Sequence, residues 1–111
     1  MSGKLYVVGT PIGNLSDFSE RAKETLAAVD FIAAEDTRVT QKLLNYFGIK
    51  KTLVSYYEHN RRERGEMIIS RNLGGEVCAI VTDAGMPCIS DPGQDQVFLC
   101  HENGIPVESV P

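Results

Sequence analysis

Residues 80–93, Ile-Val-Thr-Asp-Ala-Gly-Met-Pro-Cys-Ile-Ser-Asp-Pro-Gly, join an apolar strand to a new helix through turn-forming, carboxylate-bearing residues. Val77 to Val81 is an unbroken apolar, partly β-branched run of the kind a strand buried on both faces requires. Asp91-Pro92 reads as an N-cap followed by proline at the first helical position, where its missing N–H costs nothing. The loop between them therefore lies at the carboxyl end of a central strand, beside a helix N-terminus. In open α/β sheets that is the usual binding crevice.

A second loop has the same character. After Leu5-Tyr6-Val7-Val8 the chain runs Gly9-Thr10-Pro11-Ile12-Gly13-Asn14-Leu15 into a helix that Ser16 or Asp17 can cap. Two glycines and a proline permit tight backbone and close ligand approach. The G-x-G-x-x-G spacing and the Gly-Lys-Ser/Thr ending are both missing, so this is neither a dinucleotide fingerprint nor a Walker loop.

Three further positions carry titratable groups after strands. Glu35 and Asp36 follow the apolar run 31–34 and either could accept a proton. Asp36-Thr37 also reads as an ordinary N-terminal cap for the helix containing Val39 and Leu43. His59, within Glu58-His59-Asn60, is of a residue type that can take a proton, but without a nearby Cys or second His it has no metal-site spacing. His101, close to Gly104, reads as a helix C-terminal residue facing the dipole.

A formal charge of −4 argues against a protein that binds nucleic acid over its whole surface. Locally, Lys50, Lys51, Arg61, Arg62 and Arg64 form two basic groups flanking the third strand, able to neutralise several phosphates or simply to be solvated beside Glu63 and Glu66. Hydrophobic and charged contents of 42% and 23% are ordinary for a soluble domain. No apolar stretch approaches the ~20 residues that span a bilayer, and Met1-Ser2-Gly3-Lys4 leads into a strand without a signal peptide's apolar region. The three cysteines give neither a disulfide framework nor a C-x-x-C pair. Cys78 and Cys100 fit a core, while Cys88 sits in the loop.

Apolar runs at 5–8, 31–34, 53–56, 77–81 and 107–110 read as strands. Between them Phe18, Ala22, Leu26 and Val29 share one helical face, and Val39, Leu43 and Phe47 another. Met67, Ile68, Ile69 and Leu73 mark a third helix, stopped by Gly74-Gly75. Gly48 and Gly104 fit the left-handed residue that ends a helix. Parallel strands demand helical crossovers, so the expected fold is α/β: a three-layer sandwich with a mainly parallel five-stranded sheet.

The two ligand loops, with Ala34-Glu35-Asp36-Thr37-Arg38 and Ser55-Tyr56-Tyr57-Glu58-His59-Asn60 between them, carry a resemblance from Leu5 to Pro111. The chain resembles the amino-terminal part of the ribosomal RNA small subunit methyltransferase I family, a branch of the tetrapyrrole methylase superfamily. The resemblance implies S-adenosylmethionine as cofactor, no metal, and 2′-O-methylation of a cytidine ribose in 16S small-subunit ribosomal RNA by a cytoplasmic homodimer. It places the cofactor on Val8, Gly9, Thr10, Pro11 and Gly13 of one loop and on Asp83, Ala84, Gly85, Met86, Pro87 and Ile89 of the other. Glu35 and Asp36 become the candidates to orient the ribose or take its hydroxyl proton, and Arg38, His59, Asn60, Arg61, Arg62 and Arg64 face the RNA. Met86 stands where the family usually has threonine, which removes a hydroxyl near the cofactor and leaves backbone contacts.

Chain length adds one expectation. A chain of 111 residues suffices for one domain, burying roughly 65% of its unfolded surface. The resembled family is more than twice as long and closes a second α/β domain over the cofactor. The chain therefore reads as a single amino-terminal domain, 1–111, cut from a longer enzyme and inactive by itself. A small-molecule methylase of the same superfamily, or a dimerisation module without activity, are the alternative readings.

Overall fold

The computed structural model describes residues 3–10, 18–83 and 92–110. Five strands alternate with four helices: β1 (Lys4–Thr10), α1 (Glu20–Ala28), β2 (Phe31–Ala34), α2 (Thr37–Tyr46), β3 (Thr52–Ser55), α3 (Arg61–Leu73), β4 (Val77–Asp83), α4 (Pro92–Glu102) and β5 (Val107–Val110). They form one sheet in the order β3-β2-β4-β1-β5. Every pairing is parallel. The expected α/β fold is the one observed, and all five expected strands are present.

Alternation along each strand sorts its side chains between two cores. Leu5, Phe31, Ala33, Val54, Cys78 and Ile80 face Ile68, Ile69 and Cys100, so α3 and α4 cover one face. Val8, Ile32 and Ala79 face Ala22, Leu26, Leu43 and Leu44, so α1 and α2 cover the other. A strand covered on both sides must be apolar throughout, and β2 is buried at all four positions. Burial pushes the Cys100 thiol up to about 11 and raises Cys78 as well. Both cysteines are therefore protonated core residues.

Helix ends and faces differ from expectation in three places. The first helix is capped by Ser19, whose Oγ accepts a hydrogen bond from the Ala22 amide at 3.0 Å, and not by Ser16 or Asp17. Phe18 thereby falls outside the helix and stacks on Phe47, with ring centroids 5.4 Å apart. On α2 the buried positions are Thr40, Leu43 and Leu44, while Val39 is 63% exposed. The buried arc is centred between Thr40, Leu43 and Leu44, which leaves Val39 roughly a quarter turn away from it. On α3, likewise, Asn72 is buried and Leu73 is exposed. Gly48 and Gly104 both have φ of 70°, the expected left-handed helix ends.

The amino edge of the sheet is closed by Asn72. Its Nδ2 donates to the carbonyls of Glu76 at 2.8 Å and Lys4 at 3.3 Å, and its own carbonyl accepts from the Gly3 amide at 2.6 Å. Asn72→Ala leaves buried backbone carbonyls without that donor, an expected loss of about 1–3 kcal/mol read as a lower urea midpoint. A change within 0.5 kcal/mol, taken as roughly the scatter of surface substitutions, would contradict this role.

Candidate functional site

Parallel strands deliver every following loop to one edge. From β3 to β5 the carboxyl edge carries Tyr56–Asn60, then Glu35–Asp36, then the residues after Asp83, then those after Thr10. At ~4.8 Å per strand the groups after β3 and β1 are roughly 14 Å apart, the span of a nucleotide-sized ligand. The two sequence loops thus leave from neighbours. β1 pairs with β4 in register from Lys4↔Val77 through Gly9↔Thr82 to Thr10↔Asp83.

Their connections then diverge. The chain leaves β1 for α1 on one face and β4 for α4 on the other, which makes the gap between β1 and β4 the topological switch point of the sheet. Among the described residues β1 pairs with β5 from Leu5↔Val107 to Val8↔Val110. Val8 itself is fully buried, in the core that α1 and α2 cover. Pro11, Gly13, Ala84, Gly85, Met86, Pro87, Ile89, Cys88 and Asp91 lie outside the described residues, so the geometry of the cofactor loops rests on their strand ends.

Asp36 is the N-cap of α2. Its Oδ1 accepts from the amides of Arg38 at 3.0 Å and Val39 at 3.4 Å. The Arg38 Nε lies 3.7 Å from the same oxygen, with its side chain 90% exposed, an arrangement worth little as an ion pair. Glu35 is exposed at the strand end. Because Ala34 pairs with Val81, Glu35 stands one residue further, level with Thr82 and beside the switch point.

The segment after β3 is locked by Asn60. Its Oδ1 accepts from the Tyr57 amide at 2.8 Å, and its Nδ2 donates to the Ser55 carbonyl at 3.3 Å and Ser55 Oγ at 3.1 Å. Asn60 therefore shapes the turn from which His59 projects, its ring edge-on to Tyr57 at 5.8 Å. The three arginines are placed differently. Arg61 Nη1 donates to Asp95 Oδ2 on α4 at 2.7 Å, Arg62 is exposed, and Arg64 is partly covered.

Beneath them the first turns of α3 and α4 enclose an open cleft of about 420 Å³ lined by Tyr56, Glu58, Arg61, Arg62, Asp95, Phe98 and Leu99. Tyr56 is fully buried; burial holds its phenol protonated far past the ordinary range, with Arg61 opposing and Asp95 adding to the shift. Sequence reading missed Tyr56, Asp95 and Phe98 here. One signal was available: Val97-Phe98-Leu99-Cys100 wraps most of a helical turn, so one apolar side chain had to face outward. Phe98 does, at 64% exposure. Among the described residues no three His, Cys, Asp or Glu side chains could hold a metal, and no helix is long and apolar enough to cross a membrane.

Residues 4–111 match the family model described as tetrapyrrole (corrin/porphyrin) methylases. The chain belongs to that family. Within it, the sequence is 52% identical over 109 residues to the ribosomal RNA small subunit methyltransferase I of Halalkalibacterium halodurans, covering 98% of this chain and 38% of that protein. The protein of the same name from Thermotoga maritima is 53% identical over 109 residues, covering 98% and 49%. In both cases the match is to the amino-terminal part of the relative. The chain thus spans between two fifths and half of these relatives' length. Among solved structures, the uroporphyrin-III-C-methyltransferase of Thermus thermophilus superposes with a TM-score of 0.77 at 24% identity, over 100% of this chain and 48% of that one. In this chain the gap at the β1/β4 switch point is the candidate crevice.

Capping and catalysis at Asp36 make separable predictions. Asp36→Ala removes the cap and is expected to cost about 1 kcal/mol, whereas Asp36→Ser, which caps α2 equally well, restores the urea midpoint. Equal losses in both variants would show that the carboxylate itself is what stabilises the domain.

Proposed function

We propose that this domain is the amino-terminal half of an S-adenosylmethionine-dependent enzyme that methylates a cytidine ribose 2′-hydroxyl in 16S ribosomal RNA. Identity of about half to proteins named ribosomal RNA small subunit methyltransferase I supports this reading over a tetrapyrrole substrate. The likeness to a uroporphyrin methyltransferase, at 24% identity, speaks only to the fold. The observation that carries the cofactor assignment is the adjacency of the β1 and β4 carboxyl ends at the switch point.

S-adenosylmethionine supplies a methyl carbon already activated as an electrophile, which leaves the protein mainly a problem of alignment. Main-chain groups of Val8, Gly9 and Thr10, and those of Asp83, Ala84, Gly85, Met86, Pro87 and Ile89, would hold the cofactor, together with Pro11 and Gly13 of the first loop. Glu35 takes the ribose proton, since Asp36 is committed to two amides of α2. Arg38, His59, Arg62 and Arg64 line the approach of the RNA, and Asn60 and Arg61 hold that surface in shape. A second domain closing over the crevice excludes water and completes the contacts; the 111-residue chain alone supplies half of a cleft and binds cofactor weakly. The enzyme works as a cytoplasmic homodimer and needs no metal.

Incubation of the two-domain protein with labelled cofactor and small ribosomal subunits should place the methyl group on a cytidine 2′-oxygen, identified by nuclease digestion and mass spectrometry. Methylation of a base, or of a tetrapyrrole instead of RNA, would refute the assignment.

Two substitutions test its parts. Gly9 is not among the described glycines with positive φ, so Gly9→Val fits the strand backbone and adds only bulk. Where the cofactor approaches that backbone closely, its affinity should fall tenfold or more by calorimetry, with the fold intact. Arg62→Ala should reduce the slope of log affinity for ribosomal subunits against log salt by about one, without altering cofactor affinity.

A further inference from the structure

The cleft between α3 and α4 has a composition that core packing does not explain. Its floor is the fully buried Tyr56, whose hydroxyl has no hydrogen-bond partner among the described residues. Just behind, Gln96 is also fully buried; its Nε2 donates to the Gly65 carbonyl at 3.3 Å, and its Oε1 is unsatisfied. Gly65 makes that approach possible, since a Cβ there would come within 2.8 Å of Gln96 Oε1. A buried hydroxyl and a buried amide oxygen without partners cost about 1–3 kcal/mol each, and such groups in a native fold call for an explanation.

The walls narrow the choice of occupant. Phe98 offers a ring 64% exposed, Leu99 a flat apolar surface, Glu58 an acceptor, and Arg62 an exposed guanidinium. Arg61 and Asp95 satisfy one another across the cleft at 2.7 Å and fix the spacing of the two helices. The helices begin at Arg61 and Pro92, so both positive dipole ends lie at this end of the cleft. A volume of about 420 Å³ suits a small planar ligand and is of the size usual for small-molecule sites. Planar ring surface, a polar edge and a negative charge beside it together describe a nucleotide. Aromatic rings interleaved with arginines are how proteins hold single-stranded nucleic acid.

We propose that the Tyr56–Arg62–Phe98 cleft is a base pocket that takes an unpaired nucleotide of the RNA flanking the methylated one. This rests on the reading of the domain as an RNA methyltransferase and extends it to a second contact site. The base stacks on Phe98 over the floor that Tyr56 closes, and its 5′-phosphate meets Arg62. Glu58 accepts from an exocyclic amino group, which favours cytosine, adenine or guanine over uracil. The pocket lies two strands from the switch point along the same edge, close enough for one extended strand of RNA to reach both.

The test uses the two-domain protein and its Phe98→Ala and Phe98→Tyr variants; Phe98 is exposed, so neither should unfold. Saturation-transfer NMR with cytidine 5′-monophosphate should show transfer to the base protons, weaker with uridine 5′-monophosphate and lost in Phe98→Ala. With small ribosomal subunits, Phe98→Ala should raise KM about tenfold at nearly constant kcat and cofactor affinity, and Phe98→Tyr should restore it. Unchanged KM in Phe98→Ala with normal methylation would overturn the pocket and leave the RNA methyltransferase reading standing. Absence of methylation by the unsubstituted protein would overturn that reading, and the nucleotide titration would then decide the pocket separately. A dimer that dissociates on Phe98→Ala, without nucleotide transfer in the parent protein, would assign the cleft to contact between copies and overturn the proposal.

Discussion

The seven-residue parallel pairing of β1 with β4 is the constraint from which the rest of this domain follows. Two strands far apart in sequence, residues 4–10 and 77–83, run side by side at the centre of the sheet and end at the same level. Their following helices cover opposite faces, as the division of the core into two clusters requires. Chain leaving a sheet in opposite directions from adjacent strands opens a gap that no side chain of either strand can fill. Glycine-containing and proline-containing sequences follow both strands, which suits the proposal that main-chain groups meet a ligand there.

Everything else on the carboxyl edge is arranged around that gap. β2 lies on the far side of β4 and delivers Glu35 level with Thr82, while β3, one strand further out, delivers the Asn60-locked turn. The candidate site thus draws on four segments spread over most of the chain, each brought in by the same parallel geometry. Charge follows the same plan: the protein is acidic overall, yet arginines collect where the α2 and α3 helices begin. Arginine at a helix N-terminus opposes the dipole. Arg61 is offset by Asp95 and Arg38 lies near Asp36, whereas the exposed position of Arg62 suits an external phosphate.

The strands were legible in the sequence because burial on both faces leaves an unmistakable mark, as in Val77–Val81 and Phe31–Ala34. Helix ends at Gly48 and Gly104 were legible because a left-handed residue has few alternatives to glycine. Strand order was not: nothing local in residues 77–83 says that they insert between β1 and β2. The faces of α2 and α3 were misjudged by one residue at Val39 and Leu73, where Thr40 and Asn72 took the buried positions. A polar residue with a partner inside the fold is invisible to a hydrophobicity pattern. The same limit hid the α3–α4 cleft, since the Arg61–Asp95 contact joins residues 34 positions apart and the burial of Tyr56 depends on helices that pack over it.

The central claim is that cofactor binds at the β1/β4 switch point. A crystal structure of the protein with S-adenosylhomocysteine tests it most directly. The account predicts ligand atoms within hydrogen-bonding distance of the Gly9 and Thr10 main chain and of the segment immediately after Asp83. Ligand bound elsewhere, with those main-chain groups turned to solvent, would contradict it.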